Sequence, residues 1–202
     1  MTVAPATEIA ERYGRLREEV GAGVTVVVAT KYVSVEEMAA LADAGVEIVG
    51  ENRAQDLLAK HARYAGMFRW HFIGHLQSNK AKVVNEVCEL VHSLSSESAA
   101  RRLDVPALLE VNLSGESTKS GVAPEEVAGF VERHPHVRGL MTMPPPTSDP
   151  EASRPYFRRL RELAREHGLP ELSMGTSQDY RVAVEEGATL IRVGERLFRG
   201  TP

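Results

Sequence analysis

Eight short apolar runs that alternate with helix-like segments constrain the fold of this chain more than any other feature. The runs begin at residues 24, 46, 69, 89, 106, 136, 171 and 188 and read VTVVVAT, VEIVG, RWHFIG, ELVHSL, PALLEVNL, HVRGLMTM, ELSMG and ATLIRVG. The intervening helix-like segments span 35–44, 52–64, 79–87, 96–103, 124–133, 151–167 and 178–186. Strands that alternate with helices favour a parallel sheet, because each parallel return needs a crossover connection. Eight such repeats predict an α/β fold, a single (β/α)8 barrel.

Local signals at the predicted helix ends agree with this fold. A first helix over about residues 6–20 precedes the first strand and is therefore extra to the barrel. Ser34 followed by Glu37 predicts a capping box, and Gly45, Gly168 and Gly187 stand where helices are expected to end. The proline-rich stretch at 144–150 is predicted to be a strand-to-helix loop, so we expect one domain over residues 1–202.

Charge and cysteine content exclude several classes of protein. The net charge of −4 and the pI near 6.0 argue against a chain that mainly binds nucleic acid or an anionic membrane. The arginines of RPYFRRLREL alternate with Glu162 and Glu166 at helical spacing, which indicates a solvated helix face. No secretory signal or membrane span is evident, and the single cysteine, Cys88, is expected to be a small core residue. These features favour the reducing cytoplasm.

Lys31 follows the first apolar run, and its position gives it functional interest. In barrels of this type the active site lies at the carboxyl ends of the strands. A lysine that closes a strand is ordinarily a solvated terminator. Lys31, however, alternates in phase with Val27 and Ala29, so it is predicted to point into the barrel mouth. A partly desolvated lysine there has a lowered pKa and can form Schiff bases with aldehydes.

The segments SMGTSQD and RVGERLF follow the seventh and eighth strands, where barrels of this type commonly hold phosphate. Gly175 and Gly194 permit close approach of the backbone to a ligand. Hydroxyl groups come from Ser173, Thr176 and Ser177. The alternative is that both segments are ordinary strand-to-helix turns, with Ser177 as a helix N-cap.

Arg192 is predicted to face inward at the end of the eighth strand, because it alternates in phase with Leu190. A buried guanidinium needs a partner. That partner is either an anionic or aromatic nitrogenous ligand, or a salt bridge to Glu51 or another carboxylate at the rim.

Three other patterns in the sequence do not predict a functional site. SGESTKSG lacks the glycine spacing of a phosphate-binding P-loop. His71 and His75 flank a strand end without a third ligand at convincing spacing, so no metal site is predicted. His92 has no role that the sequence can assign.

Several motifs, in order, resemble one known family: ATK at the end of the first strand, GEN at 50–52, WHFIGHLQSNK at 70–80, VNLSGESTKSG at 111–121, GLMTM, LSMGTSQD and IRVG. The resemblance is to the pyridoxal phosphate homeostasis proteins, which are related to the N-terminal barrel of alanine racemases. It covers residues 24–200 and implies that pyridoxal 5′-phosphate (PLP) is held as a Schiff base on Lys31. It further implies contacts from Asn52 and His71 around the cofactor, Met141 against its ring, Ser173, Gly175, Ser177 and Gly194 at its phosphate, and Arg192 near its pyridine nitrogen.

The resemblance also implies a cytoplasmic protein that keeps PLP and supplies it to apoenzymes, as a monomer or weak dimer and without established turnover. It implies no catalytic residues and no nucleic-acid or membrane partner. Arg192 disfavours protonation of the pyridine nitrogen, which weakens the cofactor as an electron sink. One alternative is a PLP-dependent racemase, but such enzymes add a β domain and a catalytic tyrosine that we expect this chain to lack. The other is a Schiff-base lyase or aldolase, which shares the lysine and the phosphate site.

Two residues depart from the family pattern. Thr176 stands where a methionine is expected, and it offers a further hydroxyl to the phosphate site. Arg53 stands where an aromatic residue is more usual, and it makes the rim more basic.

Overall fold

The computed structural model describes residues 3–116 and 120–199 and contains a closed barrel of eight parallel strands. The strands are β1 (Thr25–Ala29), β2 (Ile48–Glu51), β3 (Arg69–Phe72), β4 (Leu90–Leu94), β5 (Ala107–Glu110), β6 (Val137–Met141), β7 (Glu171–Thr176) and β8 (Leu190–Val193). Each strand pairs with its neighbour in sequence, and β8 closes the barrel against β1 with Thr25 opposite Leu190. The predicted (β/α)8 barrel is confirmed.

Helices surround the barrel between the strands. They are α1 (Ala6–Val20), α2 (Met38–Asp43), α3 (Ala54–Tyr64), α4 (Ala81–Val87), α5 (Glu97–Ala100), α6 (Val127–Arg133), α7 (Arg154–Glu166), α8 (Tyr180–Glu185) and α9 (Glu195–Arg199). The extra N-terminal helix is confirmed as α1. Short 3-10 turns lead into α4, α6 and α7, so these helices begin later than their sequence pattern indicates. The sequence did not predict α9, which follows β8.

The two faces of each strand bury different sets of apolar side chains. One small cluster fills the barrel interior, and its members are Val27, Ile48, Leu90, Leu108, Met141 and Leu190. A larger core lies between the sheet and the helices, and it includes Val26 and Val28 of β1. The alternation predicted for β1 and β8 is therefore confirmed, with Val27 and Leu190 inside.

The capping box predicted before α2 is present. The backbone N–H of Glu37 donates to Ser34 Oγ (3.2 Å), and the N–H of Ser34 donates to Glu37 Oε2 (2.8 Å). Glu37 Oε1 also accepts from the N–H of Val3 (3.0 Å), and these backbone hydrogen bonds, that of Ser34 first, lower the pKa of the Glu37 carboxyl. The carboxylate thus ties the segment before α1 to the start of α2.

The remaining local predictions are also met. Gly45, Gly168 and Gly187 have φ of 74°, 66° and 93° directly after helices, the left-handed conformation that ends a helix. On the solvated face of α7, Arg159 pairs with Glu166 at 3.1 Å and Glu162 at 3.6 Å. No helix in the described part of the chain is long and apolar enough to cross a membrane.

The single cysteine is a core residue, as expected. Cys88 follows α4, is 5% exposed, and packs within the larger apolar core. Burial raises the pKa of its thiol to about 12. The thiolate is therefore scarce at neutral pH.

Candidate functional site

A cavity of about 470 Å³ opens at the carboxyl-terminal mouth of the barrel. Many of the residues singled out from the sequence line it, and they come from the ends of five strands. These are Lys31, Asn52, Met141, Thr176, Ser177, Arg192 and Gly194. His71, Ser173 and Gly175 do not line this cavity. We call it the mouth cavity.

Lys31 lies in the turn after β1, at the edge of the mouth cavity, and it is exposed. Its Nζ atom is 4.7 Å from the centroid of the Tyr32 ring. At an exposed position such a cation–π contact stabilises by only about 0.5–1 kcal/mol. The amine is therefore accessible to a ligand and weakly restrained.

A buried ion pair lies directly behind this turn. Lys60 of α3 pairs with Glu51 at the end of β2, and their side chains are 4% and 0% exposed. The Lys60 ammonium also donates to the carbonyl oxygen of Thr30 (2.8 Å), the residue before Lys31. The Glu51 carboxylate accepts from Thr30 Oγ1 (2.7 Å) and from the N–H of Asn52 (3.0 Å). One ion pair thus fixes the backbone on both sides of the cavity edge that carries Lys31 and Asn52.

Asn52 carries an orphaned polar atom. Its Oδ1 is buried and has no hydrogen-bond partner among the described residues. A buried amide oxygen without a donor is costly, so this atom is suited to a ligand that supplies one.

The two turns expected to hold phosphate are bonded to each other. Ser177 Oγ accepts from the N–H of Gly194 (3.3 Å). The hydroxyl and N–H of Thr176 donate to Asp179 Oδ1 at 3.0 and 2.7 Å. The alternative of Ser177 as an N-cap is wrong, since α8 begins at Tyr180 after Asp179. Ser177 and Gly194 instead face the same cavity.

The glycines of these turns are explained by close packing of the chain on itself. A Cβ atom at Gly175, where φ is 92°, would lie 2.5 Å from the Cβ of Ala183 in α8. A Cβ at Gly194 would lie 2.8 Å from the carbonyl oxygen of Ala29. Small residues therefore bring α8 and β1 against the turns, whether or not a ligand is bound.

Arg192 points inward from β8, is 7% exposed, and reaches the floor of the mouth cavity. It donates to the carbonyl oxygens of Ser173 (3.0 Å) and Thr142 (3.1 Å), and to Ser173 Oγ. Burial lowers the pKa of the guanidinium to about 10. Within residues 3–116 and 120–199 no carboxylate forms an ion pair with it. The alternative of a salt bridge to Glu51 is wrong, because Glu51 faces the helices.

Two buried histidines extend this contact through the barrel interior. His92 Nδ1 is 2.7 Å from Ser173 Oγ, and His92 Nε2 is 2.9 Å from His71 Nδ1. Burial lowers the pKa of His71 to about 4, and burial together with the charges of His71 and Arg192 lowers that of His92 well below its ordinary value. Both rings are therefore neutral at pH 7, and each carries one N–H.

The donors and acceptors of these hydrogen bonds can be assigned from Arg192, because a guanidinium can only donate. Ser173 Oγ accepts from Arg192. Among the described residues, the acceptor for the Ser173 hydroxyl proton is His92 Nδ1. His92 Nε2–H then donates to His71 Nδ1. The proton of His71 then lies on Nε2, and His71 lines the cavity at the opposite end of the barrel. His71 and Ser173 therefore lie beneath the mouth cavity.

The sequence interpretation missed several residues that line the mouth cavity, among them Tyr32, Ser93, Glu110 and Gln178. Glu110 could have been found, because it ends β5 in phase with Leu108, an interior residue. Its carboxylate accepts from Ser120 Oγ (2.6 Å), and its charge opposes the effect of burial on the pKa of Arg192. In the described residues no group of three or more His, Cys, Asp or Glu side chains could hold a metal ion.

Comparison with known proteins identifies the family. Residues 6–202 match the family model described as alanine racemase, N-terminal domain. A pyridoxal phosphate homeostasis protein from Aquifex aeolicus is 40% identical, with 95% of each chain covered. This chain belongs to the pyridoxal phosphate homeostasis protein family. The resemblance inferred from its motifs is confirmed.

Solved structures agree with this family assignment. PipY of Synechococcus elongatus, in a structure with PLP bound, is 32% identical with a TM-score of 0.85, and the match covers 94% of this chain and 99% of PipY. A lysine/ornithine decarboxylase from Vibrio vulnificus has a TM-score of 0.72 at 15% identity, over 96% of this chain and 62% of the enzyme. The decarboxylase shares the barrel fold, and the homeostasis proteins share the sequence as well.

Proposed function

We propose that this chain binds PLP in the mouth cavity, with Lys31 as the point of covalent attachment, and that it keeps and supplies this cofactor in the cell. The observation that carries the proposal is the convergence of an accessible lysine, an inward arginine, a hydroxyl-bearing turn after β7 and a glycine turn after β8 on one cavity of about 470 Å³. PipY, which is similar over almost the whole chain, has a structure with PLP bound.

The residues of the mouth cavity fit this cofactor chemically. Ser177 and the N–H of Gly194 would hold a phosphate at the ends of β7 and β8, and Thr176 would join them by turning its hydroxyl away from Asp179. The orphaned Oδ1 of Asn52 needs a donor, and PLP linked to an amine can bring one. Met141 is 3% exposed and offers an apolar surface to a ring.

PLP supplies an aldehyde carbon that an unprotonated lysine amine can attack. The contribution of the chain is to present the Lys31 amine at the cavity edge. The Lys60–Glu51 ion pair contributes by holding the carbonyl oxygen of Thr30 in place. Arg192 would face the pyridine nitrogen as a donor. A guanidinium cannot readily give up its proton, so with Arg192 as its donor the nitrogen would stay unprotonated and the cofactor would draw electrons weakly. This favours a carrier over an enzyme with turnover.

The first test is the colour of the purified protein with added PLP. We expect a visible absorbance band in the parent chain, its loss in Lys31→Ala, and its retention in Lys82→Ala, an exposed lysine on α4. A parent chain that stays colourless and does not bind PLP contradicts the proposal, and so does a band that Lys31→Ala leaves unchanged.

The second test measures whether the protein supplies PLP to another enzyme. The loaded parent chain is expected to reactivate an apoenzyme that depends on PLP, even when a trap removes free cofactor. Reactivation that the trap abolishes would mean that PLP is released before transfer. Amino-acid racemisation by the loaded chain at ordinary enzyme rates would overturn the carrier function in favour of the racemase.

A further inference from the structure

A second cavity, of about 440 Å³, lies outside the barrel between α1, α8 and α9. Four arginines line it: Arg12 and Arg15 of α1, Arg181 of α8, and Arg196 of α9. The lining contains one carboxylate, Glu19, and the remaining lining residues are leucines. We call it the arginine cavity. Such a concentration of positive charge is notable in a chain whose net charge is −4.

Both oxygens of the single lining carboxylate already accept hydrogen bonds. One oxygen of Glu19 accepts from the Tyr180 hydroxyl (2.8 Å), and the other accepts from Arg181 Nε. Burial raises the pKa of Glu19, but the hydrogen bonds from Arg181 and Tyr180 outweigh it and hold that pKa below its ordinary value. Glu19 therefore stays charged, and its single negative charge offsets only part of the positive charge of the four arginines.

Two of the four guanidinium groups have no ion pair shorter than 4.0 Å within the described residues. Arg15 is 4.0 Å from Glu11, and both side chains are about 70% exposed. Arg196 forms no ion pair with any carboxylate in the described residues, and it lies 5.3 Å from the centroid of the Tyr180 ring. Arg12 is held in place by Glu8 (2.5 Å) and the carbonyl oxygen of Leu197 (3.0 Å). Arg12 is thus fixed in position, while Arg15 and Arg196 offer N–H donors to the cavity.

The arginines of α7 show that this pattern is not general in the molecule. Arg154 pairs with three carboxylates, those of Glu151, Glu185 and Glu186. Arg159 pairs with Glu162 and Glu166. Where arginines cluster on α7, carboxylates accompany them. Around the arginine cavity there are fewer carboxylates for each arginine: Arg12, Arg15 and Arg181 each have one carboxylate partner, and Arg196 has none among the described residues.

We propose that the arginine cavity binds a small polyanion of the phosphate class, such as pyrophosphate or a phosphate ester. Guanidinium groups donate paired, charge-assisted hydrogen bonds to phosphate oxygens, and a multivalent anion relieves the repulsion between them. The site is separate from the mouth cavity and does not depend on whether Lys31 holds a cofactor.

The test is calorimetric titration of the full chain with inorganic pyrophosphate at low ionic strength. The chain is first saturated with PLP so that the phosphate site of the mouth cavity is occupied, and we then expect one further pyrophosphate to bind per parent chain. The double variant Arg15→Gln/Arg196→Gln is expected to weaken it at least about tenfold, because hydrogen bonds to charged groups contribute that much to binding. Arg159→Gln, which removes an exposed charge from α7, is the matched control and is expected to bind like the parent.

A further variant distinguishes the two cavities. Thr176→Val/Ser177→Ala removes hydroxyls from the mouth cavity and is expected to leave pyrophosphate binding unchanged. No binding by the parent chain, equal weakening by Arg159→Gln, or loss of binding in the mouth variant would each overturn the proposal. Thermal unfolding without pyrophosphate, unchanged in Arg15→Gln/Arg196→Gln, is expected to show that the double variant is folded. The colour test of Lys31 is a separate measurement, so failure of one proposal does not affect the other.

Discussion

Lys31 and Asn52 reach the mouth cavity from backbone segments that a single buried ion pair holds together. Thr30 and Glu51, their neighbours in sequence, face the helices and bond to Lys60. Alternate residues of a strand end therefore have opposite roles, one anchoring the backbone and the next facing the ligand. At this scale the position of the reactive amine depends on a lysine nearly thirty residues away in sequence.

We predict that Lys60→Met lowers the free energy of unfolding by about 3–5 kcal/mol, because it leaves the Glu51 carboxylate buried without a counter-charge. We also expect weaker PLP binding, because the carbonyl oxygen of Thr30 loses its donor. Denaturant unfolding and titration with PLP measure the two effects.

The control is the double variant Glu51→Gln/Lys60→Met. A neutral glutamine leaves no buried charge, and its amide oxygen can still accept from the N–H of Asn52 while its NH2 group donates to Thr30 Oγ1, so the double variant is expected to be less destabilised than Lys60→Met alone. Equal losses in the two variants would show that the charge of Glu51 is not what makes the single change costly.

At the scale of elements, the site depends on how tightly helices meet the strand ends. Gly175 brings β7 against α8, and Gly194 brings the end of β8 against β1. The turns that carry Ser177 and Gly194 are therefore fixed by packing behind them. A ligand in the mouth cavity meets donors whose positions are already set.

We predict opposite effects for the same substitution at two glycines. Gly175→Ala is expected to lower the free energy of unfolding by about 2–4 kcal/mol, because it combines an unfavourable positive φ with a clash at Ala183. Gly14→Ala lies in α1 with open space around its Cβ, so it is expected to raise the free energy of unfolding by about 0.5–1 kcal/mol. Chemical denaturation of both variants checks the two signs, and a neutral Gly175→Ala would contradict the packing argument.

Sequence pattern predicted the elements well because strand alternation and helix stops are local signals. It placed every strand, the extra helix α1 and the inward direction of Arg192. It missed α9, whose few residues follow the last glycine turn too closely to show a helical period. It also could not foresee the role of Lys60, since an isolated lysine on a helix looks like a solvated residue until the packing of α3 is known.

At the scale of the whole molecule, a network of polar side chains crosses the barrel interior. It runs from Arg192 through Ser173 and His92 to His71, and so links β8, β7, β4 and β3. The sequence placed two of its members, His71 and Ser173, beside the ligand, and the structure puts them beneath the mouth cavity. His92 had no assignment, because its partners come from strands far apart in sequence.

We predict that the free energy of unfolding falls in mild acid because of the buried histidines of this network. The pKa of His71 is about 4 in the folded protein, through burial and then the charge of Arg69, against about 6.5 when unfolded. Between these values the unfolded chain binds more protons, so stability is full above about pH 6.5 and is lost as the pH falls toward 4. His71 alone accounts for roughly 2 kcal/mol between about pH 7 and pH 5.

The measurement is denaturant unfolding at the two pH values. His71→Gln is expected to lose less stability on acidification than the parent chain, whereas His167→Gln, at the end of α7, is expected to behave like the parent. If His71→Gln and the parent lose the same amount, the acid sensitivity has another source.

The burial of Cys88 has a practical consequence. The only sulfhydryl of the chain is enclosed by the core and held in its unreactive form. The native protein therefore offers no reactive thiol at its surface. A cysteine introduced at the rim of the barrel would be the one place where a fluorophore attaches, and its emission would report on the mouth cavity alone.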